Sequence, residues 1–532
     1  MNFVSLKFVV FLLCLLLCYY VTPKKYRWSI LLAGSYLFYL ISSAKMTVFL
    51  LLTTVTTFLA GKRLGALNEE TAAYLSANKT ALDREAKKQY KAQQTKRKRR
   101  AVLFAVLWNI GILCVLKYTG FVFDTINRIL ASVGCSGSLP GVSFLLPIGI
   151  SFYTFQAVGY VIDVYRGKYP ADQSFPKYML FLSFFPQIIQ GPIGRHDQLA
   201  HQLYEGRAFD YDTFVKGAQL ILWGLIKKLV VAERLAVVVD AVFGNYLNYT
   251  GLMFLAAAAL YGMQIYMDFS GGIDMTRGIG ALFGITMAVN FERPYFAKSL
   301  SEFWRRWHMT LGGWMKDYVF YPLSLSKAAN RLGKKTRRWF GNQTGKMIPT
   351  FLAMFVTFML VGIWHGAEWK YIAYGFWNAG IISGSILLEP VYKKLAGVFH
   401  INTGSRGWQL FSMVRTFFLC SIGRFFPRSN SLHEALVMIK SSFTVWNPEI
   451  FTDGTFLNFS LTLKDWKLLG LMMLFLLLIG ILQERGIRIR DCAAQLPIPI
   501  RWSFYIGAVL LLARCGMYGP GYSAAAFVYQ QF

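Results

Sequence analysis

The sequence predicts an all-α polytopic membrane protein with about eleven transmembrane helices and extra interfacial or re-entrant helices. Three observations predict this. Of the 532 residues, 55% are hydrophobic and only 15% charged, whereas soluble domains carry roughly 25% charged residues. A soluble chain this apolar would lack the polar surface to cover itself. The apolar residues also fall into runs long enough to cross a bilayer, which takes about 20 helical residues. Lys and Arg, finally, gather in the loops between those runs, as the positive-inside rule requires.

Taken in order, the candidate runs are residues 4–22, 28–43, 46–60, 101–117, 144–164, 176–190, 214–239, 252–267, 348–364, 371–388, 408–422, 466–482 and 500–516. Some are re-entrant or interfacial, which leaves about eleven true spans. The first resembles a signal peptide but has no basic leader beyond Lys7 and no clean cleavage site, so it reads as a retained helix. Lys24, Lys25 and Arg27 follow it. The most basic segment is 62–100, ending Lys96-Arg97-Lys98-Arg99-Arg100. Two spans separate these loops, so both can be cytoplasmic, with the N-terminus outside. Residues 79–100 read as a polar helix. It is either a juxtamembrane helix on anionic lipid or a dock for an acidic partner or anionic acyl donor.

The net charge of +30 would suggest nucleic acid in a soluble protein. No nucleic-acid module is readable here, and topology signalling with anionic headgroups accounts for the excess. The 7 cysteines show neither metal spacing nor a disulfide framework. Cys14, Cys18, Cys114, Cys420 and Cys515 lie in or beside apolar runs and read as packing residues. No metal site is expected.

Residues 268–346 interrupt the apolar pattern. Irregular backbone is not tolerated in hydrocarbon, so this segment must line a cavity or lie at an interface. Two histidines stand out around it. His365, in Trp364-His365-Gly366, ends an apolar run from Ile348, about 26 Å along a straight helix. An imidazole at membrane depth can take a proton from a hydroxyl or give one to a leaving group. A helix-capping role before Gly366 is the structural alternative. In Phe303-Trp304-Arg305-Arg306-Trp307-His308, helical spacing puts Trp304, Trp307, His308 and Leu311 on one face. That face suits either an interfacial aromatic belt or the wall of a reaction chamber, with the arginines holding an anionic group. Pro186-Gln187-Ile188-Ile189-Gln190-Gly191-Pro192 and Asp268-Phe269-Ser270-Gly271 read as cavity-lining helix ends. Asp268 and Asp274 are placed to orient a histidine or hydroxyl, or to pair with Arg277 or Arg293. There is no Gly-x-Ser-x-Gly elbow, P-loop, dinucleotide fingerprint or HExxH. Two histidines without a nucleophile suit direct transfer from a thioester to a hydroxyl.

Together these stretches resemble the membrane-bound O-acyltransferases, in the bacterial branch of alginate O-acetyltransferases and teichoic-acid D-alanyltransferases. The matching pieces are Ser151-Phe152-Tyr153-Thr154-Phe155-Gln156, the 186–192 motif, Asp268 to Gly271, Phe303 to His308, Trp364 to Ala367, and the ending Tyr518 to Tyr522 with Phe527 to Phe532. They cover most of the chain in family order. The resemblance implies His365 and His308 as the catalytic pair, within a core at 144–390 followed by C-terminal helices at 400–532, in one polytopic membrane domain over 1–532. Substrate-binding candidates are Gln187, Gln190, Asp268, Ser270, Trp304, Arg305, Trp307 and Trp364. It also implies a central tunnel and no bound cofactor. The acyl donor is a cytoplasmic thioester of coenzyme A or an acidic acyl carrier protein. The acyl group, acetyl first among the choices, moves across the cell membrane to a polysaccharide or an extracellular partner acyltransferase. D-alanyl transfer to teichoic acid and polysaccharide export through a proton relay are the alternatives. Gly272-Ile273-Asp274 replaces the branch's usual Tyr-Ser-Asp, and Pro322-Leu323-Ser324-Leu325 its Pro-Leu-Gly-Gly. These departures spare the histidines and bear on the acceptor and partner.

Overall fold

The computed structural model describes residues 3–135 and 137–518. The ending motif beyond Tyr518 lies outside the described residues. Every regular element described is helical, apart from one isolated antiparallel bridge between Phe291 and Trp307. Except at 144–149 of the run expected at 144–164, where the helix starts only after left-handed Gly149, the candidate apolar runs fall on helices. In chain order these are α1 (Leu6–Val21), α2 (Arg27–Ser43), α3 (Thr47–Ala77), α4 (Arg84–Ser132), α5 (Ile150–Tyr165), α6 (Phe175–Ser183), α7 (Phe185–Gln190), α8 (His196–Tyr204), α9 (Tyr211–Leu225), α10 (Glu233–Gly244), α11 (Leu252–Leu282), α12 (Leu300–Arg306), α13 (Met309–Met315), α14 (Tyr321–Ser324), α15 (Lys327–His365), α16 (Trp369–Val398), α17 (Arg406–Arg428), α18 (Leu432–Thr444), α19 (Leu463–Glu484), α20 (Ile489–Ala494) and α21 (Ile498–Cys515).

Among the described residues, 7 helical stretches are long and apolar enough to cross a membrane, and one of them, Lys24–Ala77, contains both α2 and α3. The remaining candidate runs lie on helices that are shorter, divided, rewound or less apolar. Residues 176–190 divide at Phe184, where Pro186 opens the next helix. Residues 214–239 wind through a π-helical turn, Ile226–Ala232, that joins α9 to α10 without a gap. The polar helix expected at 79–100 begins at Arg84, where the Asp83 carboxylate caps the Ala86 amide. It continues without a break into the apolar run as α4. Such a cap stabilises a helix start by about 1 kcal/mol.

By internal contacts the chain forms two units, Met1–Ala218 with Thr276–Ala288, and Gln219–Met275 with Val289–Phe532. In the first, α5 is buried along nearly its whole length. The Tyr178 hydroxyl donates to Thr57 Oγ1 at 2.8 Å, and Tyr39 donates to the Ile148 carbonyl at 3.0 Å. The loop after α5 carries Asp172, whose carboxylate accepts from Tyr204 and lies 3.1 Å from His196 Nε2. Burial alone would raise the Asp172 carboxyl; the hydrogen bonds from His196 and Tyr204 outweigh it and hold the group below its usual range. A carboxyl lowered by folding stabilises the fold above its unfolded value, and that contribution fades as pH falls through the folded value. Thermal melts from pH 6 downward are therefore expected to drop more steeply for the wild type than for Asp172→Asn. Parallel curves would contradict this.

In the second unit, two apolar clusters form the core. One joins α10, α11, α17 and α18 through Phe243, Phe254, Tyr261 and Phe425. The other joins the π turn, α11 and α19 through Val230, Met267 and Met472. Within α15 the chain turns back at Gly341, where φ is +76°, a backbone region that favours glycine. The Thr336 hydroxyl then reaches the Gly345 carbonyl at 2.7 Å. The second arm of α15 runs on to His365.

Candidate active site

His308 is placed by a break in the helix. Ser299 caps α12 through the Glu302 amide, and the helix stops at Arg306. Trp307 is extended and bridges to Phe291, and the Glu292 amide donates to the Arg306 carbonyl at 2.9 Å. His308 itself is left-handed, with φ +46°, a conformation that costs a β-carbon residue about 1–2 kcal/mol. Asn290 holds it there. The Met309 amide donates to the Asn290 carbonyl at 3.0 Å, and the Thr310 amide and hydroxyl both donate to Asn290 Oδ1 at 2.9 Å. The expectation that Trp304, Trp307, His308 and Leu311 share one continuous helical face is thus corrected. Pairing with residues 290–292 competes with the i to i+4 bonds and wins at 307–308.

Asn290 Oδ1 also lies 3.3 Å from His308 Nδ1. Since Oδ1 can only accept, Nδ1 carries the proton and Nε2 is the basic nitrogen. The ring is 1% exposed. Burial first, and the neighbouring His365 second, hold it well below the usual imidazole range. Replacing Asn290 with alanine removes both the anchor of this turn and the partner of Nδ1. Misplacing a reacting group by about 1 Å costs about 10²-fold in rate, and a loss of that order in kcat with little change in donor KM is expected. An unchanged kcat would contradict the assignment.

His365 is the last residue of α15. A Cβ on Gly362, one turn earlier, would stand 2.5 Å from Gly375 Cα, so only glycine lets α15 and α16 approach this closely. The Trp364 ring touches both histidines, with centroids 5.9 Å from His308 and 4.9 Å from His365. Tyr374 of α16 also packs against His365, edge to face with centroids 5.6 Å apart. His365 lines a cleft of about 610 Å³, open mouth included, together with Trp307, Tyr374, Trp377 and Asn378. Trp304 donates to Asn378 Oδ1 at 3.0 Å and so fixes one polar group of the wall. Trp304, Trp307 and Trp364 are all buried, whereas Arg305 is exposed and donates to Ser301 at 3.5 Å. Arg306 pairs with Glu302 and Glu484.

Asp268 and Ser270 belong to a buried ion cluster beside this site. The π turn carries Lys227 and Lys228, and the wider winding lets both adjacent lysines face inward. Lys227 pairs with Asp274 at 2.6 Å and donates to Ser270 at 3.0 Å. Lys228 pairs with Asp268 and, at 2.7 Å, with Glu233. Of the two partners expected for Asp274, Arg277 and Arg293, the latter goes to Glu484 and Glu292. Sequence reasoning missed the lysines, although two adjacent cations inside an apolar run were a visible signal.

Gln187 and Gln190 lie in the first unit, on α7, 1% and 0% exposed. Neither their carboxamide atoms nor those of buried Gln156 on α5 make a hydrogen bond among the described residues. Burying such groups unpaired costs roughly 1–3 kcal/mol each, so they are suited to polar ligands rather than to holding the fold. Among the described residues no three His, Cys, Asp or Glu side chains converge as a metal-binding set.

Residues 168–336 match the profile of the family described as MBOAT, membrane-bound O-acyltransferase. A "Probable alginate O-acetylase" of Pseudomonas syringae pv. tomato is 33% identical over 426 residues, 80% of this chain and 72% of that protein. A "Peptidoglycan O-acetyltransferase" of Helicobacter pylori is 28% identical over 66% of each chain. A "Teichoic acid D-alanyltransferase" of Bacillus subtilis is 28% identical over 48% of this chain and 61% of its own. These similarities extend well beyond the profiled segment, and they coincide with a helical, multi-pass architecture. The chain is therefore an acyltransferase enzyme and belongs to the membrane-bound O-acyltransferase family.

Proposed function

We propose that the protein moves an acyl group, acetyl in the first instance, from a cytoplasmic thioester donor across the cell membrane to a cell-surface polysaccharide or a partner transferase. The observation that carries this reading is the contact of Trp364 with both His308 and His365, with His365 on the wall of the cleft. His365 takes the proton of the attacking hydroxyl as its oxygen bonds to the thioester carbonyl carbon. The carbon–sulfur bond then breaks, and the proton passes to the departing sulfur, leaving an ester and a thiol. His308, with Nδ1–H turned to Asn290, offers Nε2 as an acceptor to an N–H or O–H of the bound substrate and shares the Trp364 wall with His365. Trp304, Trp307 and Trp364 shape the chamber, and Gln187 and Gln190 are assigned to polar substrate groups. Asp268 and Ser270 act through the lysines that hold them. The positive segment 62–100 faces the cytoplasm and the anionic donor.

The test uses the full chain in sealed vesicles of stated orientation, with radiolabelled acetyl-coenzyme A outside or inside. Label is expected to pass to polysaccharide or partner only when the donor is on the face carrying residues 62–100. Transfer that depends instead on an acyl-carrier-protein thioester would assign the D-alanyl-type donor. Polymer movement without thioester consumption would overturn the reading in favour of export.

A further inference from the structure

Arg424, on α17, lines the same cleft as His365. It is 6% exposed. Its Nη2 donates to the Tyr295 hydroxyl at 2.9 Å and its Nη1 to the Ser421 hydroxyl at 3.4 Å. The guanidinium lies over the rings of Tyr295 and Phe417, 5.2 and 5.7 Å from their centroids. The other buried cations of this unit each have a carboxylate. Lys227 has Asp274, Lys228 has Asp268 and Glu233, Arg234 has Asp465 at 3.1 Å, and Lys370 has Glu368 at 3.1 Å. Arg424 has none among the described residues; its partners are neutral hydroxyls and ring faces. Removing a cation from water costs several kcal/mol unless an anion and hydrogen bonds compensate. Two hydroxyls and two rings fix the plane of the guanidinium while leaving its charge unbalanced. A planar fork held rigidly in an aromatic cleft is the arrangement that binds a carboxylate or phosphate in bidentate fashion.

We infer that Arg424 is an anion-binding residue of the cleft, receiving a carboxylate or phosphate oxygen of the molecule that meets His365. The inference deepens the proposed function and rests on its reading of the cleft as a substrate site. The anion belongs either to an acidic sugar of the acceptor or to a phosphate of the donor, and the flanking Trp307 and Trp377 rings suit a sugar face.

The experiment measures binding to the full chain in lipid nanodiscs, with D-glucuronate, inorganic phosphate and uncharged D-glucose as probes. One of the two anions is expected to bind and glucose not to, and the anion that binds names the source. Arg424→Gln should weaken binding at least tenfold, and Arg424→Lys, which keeps the charge but not the fork, by less. Arg415→Gln, which removes an exposed charge from the same helix, should bind as wild type. His365→Ala should also bind as wild type while failing in transfer, so loss of the anion site and failure of the acyltransfer reading are separable. Equal affinity of the wild type and both Arg424 variants, or no binding of either anion to the wild type, would overturn the assignment. If Arg424→Gln does not fold, the comparison of Arg424→Lys with wild type decides.

Discussion

Replacing His365 with alanine is expected to slow acyl transfer by about 10³-fold, within the 10²–10⁴-fold range typical of a positioned general base. The expectation follows from where the ring sits. It ends α15, lines the cleft, and packs against Trp364 and Tyr374. The variant should fold, because the ring is only half-buried and closes a helix end rather than filling the core. Initial rates of label transfer from acetyl thioester, in membranes with matched protein levels, check it. The loss should appear in kcat, since removing a base leaves donor binding intact. Transfer at the wild-type rate would remove His365 from the chemistry.

Replacing Lys228 with methionine is expected to have the largest effect on stability. Lys228 holds Asp268 and Glu233, 1% and 5% exposed, in one ion triad. Breaking a buried ion pair by deleting one partner typically costs about 3–5 kcal/mol, because the remaining charge keeps its desolvation penalty. Two carboxylates share this cation, so the upper part of that range is expected. The π turn should loosen with it, since the inward direction of both lysines depends on that winding. Thermal unfolding in a fixed detergent checks this. A midpoint within a degree of wild type would show that the triad contributes little. Asp268→Asn should fall between the two, because it leaves Lys228 with Glu233.

Much of the architecture was legible because its cause is local. An apolar run in a chain this poor in charge satisfies its backbone best as helix, and the predicted runs are helical apart from 144–149 and the break at Phe184. The ends were less legible. The run at 46–60 continues to Ala77, and that at 101–117 extends from Arg84 to Ser132, since polar residues continue a helix as readily as apolar ones once it emerges into water. About eleven spans were expected because apolar length was counted. The break at Phe184 divides one of those runs, and the π turn at Ile226–Ala232 rewinds another without ending its helix; apolar length alone reveals neither.

The candidate site drew notice through its histidines, ionisable groups in or beside apolar segments being costly in hydrocarbon, and through the tryptophans around them. Its geometry was not legible. Periodicity placed Trp304, Trp307, His308 and Leu311 along one helix, but Asn290 and Phe291, well upstream, end that helix by pairing with it. No local rule contains that partner. Arg305 was grouped with the site by adjacency, and the helix turns it outward. Arg424 went unnoticed because an arginine in a mixed helix is unremarked until the carboxylates around it are located and none is near.

The central claim is that His308 and His365 act as one unit across Trp364. The most direct measurement is a double-mutant cycle on transfer rate, with His308→Ala, His365→Ala and the double variant assayed alongside wild type. Residues that act together are strongly non-additive, so the double variant is predicted to be no slower than the slower of the two single variants. Losses that multiply, each histidine contributing its full factor regardless of the other, would contradict the account.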